Sequence, residues 1–322
     1  MGSLSTRIGL GCGRFRGGFE ESNARRLLDT ALDCGIKYFD TAPSYGASER
    51  ILGRGLRGLR SQVELCTKVG LYGAAAPSTA GTLRGLVLTA MRTVLPDGTI
   101  DKLKQARHAP KPATAKQRGY GNFDLALIRP GVERSLEALE TGYLDCLMLH
   151  EPRLTDPTQE LTELLRKLVH EGLAVRLGVG TFSVFQDLPD FGDVAQFAIG
   201  PGGCKDSRGR TLIGHGVLRG LVPDTFENCA REAGIFGSVP ALKRFLAEPI
   251  GISALLLNAV IFGSNIQRIL VSTNSPKRLR ALMSTAENIF GEIESHNDRE
   301  LSMRFRDSVD RYLQRKVSAG AR

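Results

Sequence analysis

The stretch Asn23-Ala24-Arg25-Arg26-Leu27-Leu28-Asp29-Thr30-Ala31-Leu32-Asp33-Cys34-Gly35-Ile36-Lys37-Tyr38-Phe39-Asp40 reads as an amphipathic helix that stops on a glycine and runs into a short strand. Ala24, Leu27, Leu28, Ala31 and Leu32 recur at the spacing of one helical face. Gly35 predicts a left-handed stop, and Ile36 to Asp40 a strand. The phrase recurs. Val132, Leu136 and Leu139 precede Gly142 and a strand over Tyr143 to Leu149; Leu161, Leu164, Leu165, Leu168 and Val169 precede Gly172 and a strand over Ala174 to Val179. Near the C-terminus a strand over Ile269 to Ser272 is followed by Ser275 as helix cap and Pro276 in the first turn.

Helices alternating with strands predict parallel strands joined by crossover helices. Strands are expected near Ile8, Tyr38, Leu65, Leu147, Val175, Val194, Leu212 and Leu270. That number suggests a closed (β/α)8 TIM barrel, with a doubly wound sheet as the competing arrangement. The expected organisation is one barrel domain over residues 1–322. It carries a long basic insertion after the third strand, a variable loop or lid over 70–123 with a helix around Ala80 to Val94, and a C-terminal helix and tail over 298–322.

The chain of 322 residues is 42% apolar and 24% charged, an ordinary globular composition that excludes disorder, collagen and coiled coil. The longest apolar run, Ile252 to Phe262, is broken by Asn258 and is too short to cross a bilayer. The net charge of +9 resides wholly in residues 101–119 and 299–322, and the remaining chain balances 30 basic against 30 acidic residues. Neither basic segment has the regular interleaving of aromatics that a single-strand nucleic-acid platform uses, so both are expected to be solvated surface. The partner expectation is a small molecule, with no nucleic acid and no membrane, and the oligomeric state stays open. Six separated cysteines, with no C-x-x-C pair, and no signal-peptide pattern point to reduced thiols and a cytoplasmic location. The five histidines show no ligand spacing, so no metal is expected.

In a parallel barrel the C-terminal strand ends line the mouth where sites are built. Asp40 closes one strand with Tyr45 just beyond it, Lys68 closes Glu64 to Lys68, and His150 closes Leu147 to His150. Each alone has a structural reading: Asp40 as a turn cap, Lys68 as a solvated strand end, His150 as a core imidazole. Together they form a proton-transfer set. A tyrosine of ordinary pKa about 10 is a useful acid at neutral pH only where its phenolate is stabilised, as a neighbouring ammonium does. Lys68 supplies that ammonium, Asp40 keeps it charged, and His150 orients a carbonyl oxygen or shares the proton. His215, near the seventh strand end, is a candidate for the mouth or for a structural role.

The run Phe39-Asp40-Thr41-Ala42-Pro43-Ser44-Tyr45-Gly46, with Ser48-Glu49 and Gly53, resembles the signature of the aldo-keto reductases. So do Thr67-Lys68-Val69-Gly70, Tyr143-Leu144-Asp145 ahead of Leu149-His150, and Gly178-Val179-Gly180. The resemblance implies a (β/α)8 barrel that binds NADPH, or less often NADH, in extended form. Hydride would pass between nicotinamide and a carbonyl carbon while the tyrosine protonates the oxygen. Carried over, Tyr45 is the general acid/base, Lys68 and Asp40 tune it, and His150 orients an aldehyde, ketone or sugar substrate. Asp40 also belongs with the cofactor contacts. Gln196 and Thr181 would meet the nicotinamide end, and Ser272, Thr273, Asn274 and Arg278 would hold the adenosine 2′-phosphate.

The chain also departs from the pattern. Gly180-Thr181 stands where Ser-Asn is frequent, Arg210 or Thr211 falls where an aromatic stacks on the nicotinamide, and Ala281 and Leu282 replace polar residues near adenine. The Gly178-Val179-Gly180 run and Thr67-Lys68-Val69-Gly70 resemble the sugar-dehydrogenase branch. Lys102, Lys104, Arg107, Lys111 and Lys116 would steer an acidic or phosphorylated substrate. The alternative from another class is a nicotinamide-nucleotide-binding regulatory subunit with little turnover, like the channel-associated β subunits of the family.

Overall fold

The computed structural model describes residues 3–15, 21–72, 119–185, 188–201, 206, 208–296 and 299–320, the side chains of 317–320 excepted. The helix expected at Ala80 to Val94 and the steering cations between Lys102 and Lys116 lie outside those residues. Eight strands form a closed barrel in chain order: β1 (Ile8–Gly11), β2 (Tyr38–Asp40), β3 (Glu64–Val69), β4 (Leu144–His150), β5 (Ala174–Gly180), β6 (Val194–Ala198), β7 (Thr211–His215) and β8 (Arg268–Val271). Every neighbouring pair is parallel, and β8 closes on β1 with Ile8 opposite Ile269. This is a (β/α)8 TIM barrel, and each strand falls where the sequence places one.

The helices are α1 (Glu21–Asp33), α2 (Ser48–Gly55), α3 (Leu125–Ala138), α4 (Gln159–His170), α5 (Pro223–Glu232), α6 (Ile235–Ser238), α7 (Pro249–Gly263), α8 (Pro276–Glu294) and α9 (Arg299–Gly320). α1 buries Ala24, Leu27, Leu28 and Ala31 as its periodicity requires. α4 begins on the Thr158 cap and buries Leu161, Leu165 and Leu168, worth roughly 1.5–3 kcal/mol each. Ser275 caps α8, its hydroxyl accepting from the Arg278 N–H at 3.2 Å, and Pro276 follows in the first turn. α7 is apolar all round and is buried between α8 and α9.

Gly35 and Gly172 take the left-handed conformation, with φ 76° and 79°, as expected of helix stops. The third stop differs. After α3 the left-handed residue is Glu140, with φ 51°, and not Gly142. α3 ends four residues before Gly142, and the chain reverses before the glycine is reached. β2 is also shorter than Ile36 to Asp40, since Ile36 is spent on closing α1 through its N–H to Ala31.

Strand alternation divides the barrel. Leu10, Phe39, Leu65, Leu147, Val179, Ala195 and Leu212 point outward into the helix-facing core. Tyr38, Cys66, Cys146, Met148, Val194, Ile213 and Leu270 fill the interior as a separate cluster. At the N-terminal floor Glu64 accepts from Arg268 at 2.8 Å and from Arg176 at 3.2 Å, and the Arg268 guanidinium lies 4.2 Å over the Tyr38 ring.

Among the described residues no α-helix follows β5 or β6. Phe185, Leu188 and Phe191 of the β5–β6 loop pack against the outer wall instead. Arg210 holds the two short loops, pairing with Asp206 at 2.9 Å and donating to the Pro189 carbonyl at 3.2 Å. No helix of the described residues is long and apolar enough to cross a membrane.

Glu49, in the first turn of α2, accepts from the Thr67 hydroxyl at 2.6 Å and so ties that helix to β3 one residue before Lys68. Burial raises its carboxyl pKa above the ordinary value, with Thr67 and Lys68 pulling back. A raised folded pKa means stability present in acid and lost as pH climbs past the carboxylate range. Glu49→Gln keeps the acceptor for Thr67 and removes the ionisation. The variant's Tm relative to wild type is therefore expected to rise from about pH 4.5 to pH 7.5, and a pH-independent difference would show that Glu49 is not desolvated.

Candidate active site

The inward positions two residues beyond the apolar interior are the last before the mouth. They carry Gly11, Asp40, Lys68, His150, Gly180, Gln196, His215 and, just past β8, Ser272. Strand period and strand end thus put the expected polar residues in one layer.

Asp40 and Lys68 make a buried ion pair, side chains 3% and 1% exposed, with Lys68 Nζ donating to Asp40 Oδ1 at 2.5 Å and to the Thr41 carbonyl at 2.9 Å. Burial alone would strip the proton from Lys68, but Asp40 overrides it and the lysine pKa ends above its ordinary value. Gly180 is what lets the lysine stem pass: a Cβ there would stand 3.0 Å from Lys68 Cε and 3.4 Å from Met148 Sδ.

Tyr45 ends a short 3-10 turn over Pro43–Tyr45 that leaves β2 directly. The turn is held by the Thr41 N–H on the Cys66 carbonyl at 2.8 Å and the Thr41 hydroxyl on Ser48 Oγ at 2.7 Å. Lys68 Nζ lies 5.2 Å from the centroid of the Tyr45 ring. Burial raises the phenol pKa, while the Lys68 ammonium pulls it back down.

His150 meets the Tyr45 ring edge-on at 5.8 Å and is 3% exposed. Burial first, and Lys68 second, hold its pKa down at about 3, so the imidazole is neutral. Its Nδ1 is buried with no partner, and so is Oε1 of Gln196. Two orphaned polar atoms in one mouth suit a ligand that brings its own donors and acceptors.

On the β8 side, Ser272 Oγ donates to the Gly11 carbonyl at 2.6 Å, and Gly11 is the register partner of Asp40. The rim therefore runs unbroken from Asp40 through Gly11 to Ser272, Thr273 and Asn274 at the start of α8. The Asn274 carbonyl accepts from Asn23 at 2.7 Å, and Arg278 is exposed in the first turn, where a helix N-terminus favours an anion. Leu282 faces the core at 7% exposed, while Ala281 is exposed.

The structure brings Asp40, Tyr45, Lys68 and His150 together, with Gln196 in the same layer. Thr181 is next to them, but its hydroxyl already donates to Glu151 Oε2 at 2.8 Å. Arg210 and Thr211 do not reach the mouth. Thr211 begins β7 at the far end and Arg210 is buried against Asp206 below it, whereas His215 closes the strand at the mouth. The residue at the end of β7 is therefore an imidazole, bonded through Nε2 to the Thr181 carbonyl at 2.8 Å. Sequence reasoning missed Glu151 altogether. Its one signal was adjacency to His150.

Among the described residues no group of His, Cys, Asp and Glu side chains is placed to hold a metal ion. Cys66 and Cys146 face each other in register inside the barrel, buried among apolar neighbours.

Lys68→Met strands the Asp40 carboxylate without a cation and is expected to cost about 3–5 kcal/mol in denaturant unfolding. Adding Asp40→Asn should recover part of it. A single-variant loss within about 1 kcal/mol would show that the pair is not desolvated. The His150 resonances are expected not to titrate between about pH 5 and 8, and an imidazole titrating near its ordinary value would refute the neutral assignment.

Residues 7–188 match the sequence profile of the Aldo/keto reductase family. Aldo-keto reductase YhdN of Bacillus subtilis is 30% identical over 193 residues, 58% of this chain and 46% of that protein. The uncharacterized oxidoreductase YqkF of Bacillus subtilis is 26% identical over 178 residues, 55% of this chain and 45% of that protein. The chain thus spans under half the length of these curated relatives. In fold it is similar to the holo form of aldo-keto reductase AKR11C1 from Bacillus halodurans, with TM-score 0.57 and 19% identity over 91% of this chain and 92% of that one. The matched segment runs from the start of the barrel through β5 and contains Asp40, Tyr45, Lys68 and His150, and the chain belongs to the aldo/keto reductase family.

Proposed function

We propose that the protein is a nicotinamide-nucleotide-dependent oxidoreductase that interconverts a carbonyl and an alcohol, with Tyr45 as general acid and base. The observation that carries this reading is the convergence on the Tyr45 ring of the Lys68 ammonium, 5.2 Å from its centroid, and the neutral imidazole of His150, 5.8 Å away edge-on.

A bound nicotinamide nucleotide supplies or accepts the hydride. The chain's own residues do the rest. The neutral His150 directs a ring N–H at the substrate oxygen and holds it against the Tyr45 hydroxyl. As negative charge develops on that oxygen, Tyr45 Oη transfers its proton to it. The phenolate left behind is stabilised by Lys68, whose proton is secured by Asp40, until solvent restores the hydroxyl. In alcohol oxidation the same atoms run in reverse. Burial outweighs the pull of Lys68, so Tyr45 carries its proton at neutral pH and has it to give as charge develops on the substrate oxygen.

Gln196 Oε1, buried and without a partner, suits the donor side of a carboxamide. The rim from Asp40 to Ser272 gives an extended ligand a continuous path. Arg278, with the start of α8, suits a phosphate at its far end, which supports NADPH over NADH. The substrate class is an aldehyde, ketone or aldose.

The test is oxidation of NADPH and NADH by purified protein against aromatic aldehydes, ketones and acidic sugars, with Tyr45→Phe alongside. Turnover by wild type and a loss of at least ~100-fold in the variant are expected. Equal rates would remove Tyr45 from its role. Tight nucleotide binding with no turnover of any substrate would replace the enzyme by a nucleotide-binding regulatory subunit.

A further inference from the structure

Glu151, the residue after His150, has φ 52°, a left-handed backbone that a glutamate rarely adopts. Among the described residues the other non-glycine with positive φ is Glu140, which sits in the turn after α3 and pairs with Arg57 at the surface. Glu151 is different, because it lies at the mouth and every polar group it has is engaged there. Its N–H donates to the Gly180 carbonyl at 2.8 Å, and its C=O accepts from the Gly121 N–H at 3.0 Å. Its carboxylate accepts from the Thr181 hydroxyl at Oε2 and from the Phe182 N–H at Oε1, both at 2.8 Å.

Both residues held by that carboxylate hold His215 in turn. The Thr181 carbonyl accepts from His215 Nε2 at 2.8 Å, which requires the proton on that nitrogen. The Phe182 ring meets the imidazole edge-on at 5.4 Å. The Thr181 N–H also donates to the Gln196 carbonyl at 3.0 Å. One side chain at the end of β4 thus reaches, through two neighbours, the imidazole that closes β7.

We propose that Glu151 is a positioning residue: its carboxylate holds Thr181 and Phe182 so that they fix His215, with Nε2 protonated, in the inward layer beside Gln196 and His150. Strained backbone persists where its surroundings over-determine it, and such residues gather at binding sites. Here the N–H, the carbonyl and the carboxylate over-determine it together, and of these the carboxylate is the part that reaches Thr181 and Phe182. With the anchor gone, Thr181 keeps its N–H bond to the Gln196 carbonyl but loses the side-chain hold on the turn that aims its carbonyl at His215. The consequence for turnover rests on the proposed function, but the geometric claim does not.

Glu151→Gly isolates the carboxylate, because glycine adopts the left-handed backbone without steric cost. Glu151→Gln keeps an acceptor for the Phe182 N–H and serves as the conservative rescue. Three quantities are measured on the full chain: the 15N resonances of the His215 imidazole, identified by their loss in His215→Asn; KM and kcat; and Tm. In Glu151→Gly, His215 Nε2 is expected to leave its single protonated-nitrogen signal. kcat/KM is expected to fall about tenfold, mostly through KM, with Glu151→Gln recovering most of it and Tm little changed. An unchanged His215 spectrum in Glu151→Gly overturns the proposal and leaves Glu151 as a turn residue. So does a fall in Tm with KM intact. A shifted His215 signal in a protein that turns over no carbonyl sustains the positioning role and sinks the proposed function.

Discussion

The charge state of the whole mouth follows from the buried contact between Lys68 and Asp40. An ammonium this deep would lose its proton without a partner. With Asp40 against it Lys68 keeps that proton, and three consequences follow at neighbouring atoms. Lys68 pulls the Tyr45 phenol down against burial, helps push the His150 imidazole down until it is neutral, and anchors the loop after β2 through the Thr41 carbonyl. Buried pairs are poor sources of stability, since desolvation consumes most of the attraction. This pair is better understood as a means of delivering one positive charge to a dry site.

That charge arrives where it does because of strand period. Each strand places an apolar or small residue in the barrel interior and a polar or absent side chain two residues on: Tyr38 then Asp40, Cys66 then Lys68, Met148 then His150, Gly178 then Gly180, Val194 then Gln196, Ile213 then His215. The interior layer is filled, so ligands are confined to the last layer and the loops above it. Gly180 contributes by having no side chain, since a Cβ would press on the stem of Lys68.

The strands and the proton-transfer residues are legible because they are local: a period of two, a glycine between helix and strand in three of the repeats, and a polar residue at the last position of the strands that carry the site. The errors were also local in origin. Arg210 and Thr211, which the sequence resemblance sets at the nicotinamide, precede and begin β7 at the opposite end from the mouth. His215, the true strand end, looked equally like a core histidine, because one imidazole carries no direction along the chain. Gly142 was chosen as a helix stop on residue type, while the chain turned earlier at Glu140, and Glu151 turned left-handed for tertiary reasons that a glutamate does not announce. What fixes these residues is contact across the mouth, which composition and periodicity do not record.

The two halves of the barrel are held by different physics. From β1 to β5 each crossover contains a described helix, and packing of an apolar face positions the strand ends. From β5 to β7 the described loops contain no α-helix; their backbone groups pair with one another, as the Asp193 N–H does with the Leu177 carbonyl at 2.8 Å and the Ala198 N–H with the Ser183 carbonyl at 3.0 Å, and side-chain partners tie the turns together. Arg210 and Asp206, 8% and 6% exposed, supply them below, joining the loop on either side of β6 through the Pro189 carbonyl and the Arg210 N–H. Glu151 supplies them above, at Thr181 and Phe182. A rim held by a few directional bonds is more exacting than one held by packed leucines, since one lost acceptor frees a whole turn while one lost methyl does not. In this barrel the chemistry stands on the packed side at Asp40, Tyr45, Lys68 and His150. On the side that faces it across the mouth, the Glu151 carboxylate and the two donors it holds tie the rim, while Asp206 and Arg210 tie the loops beneath.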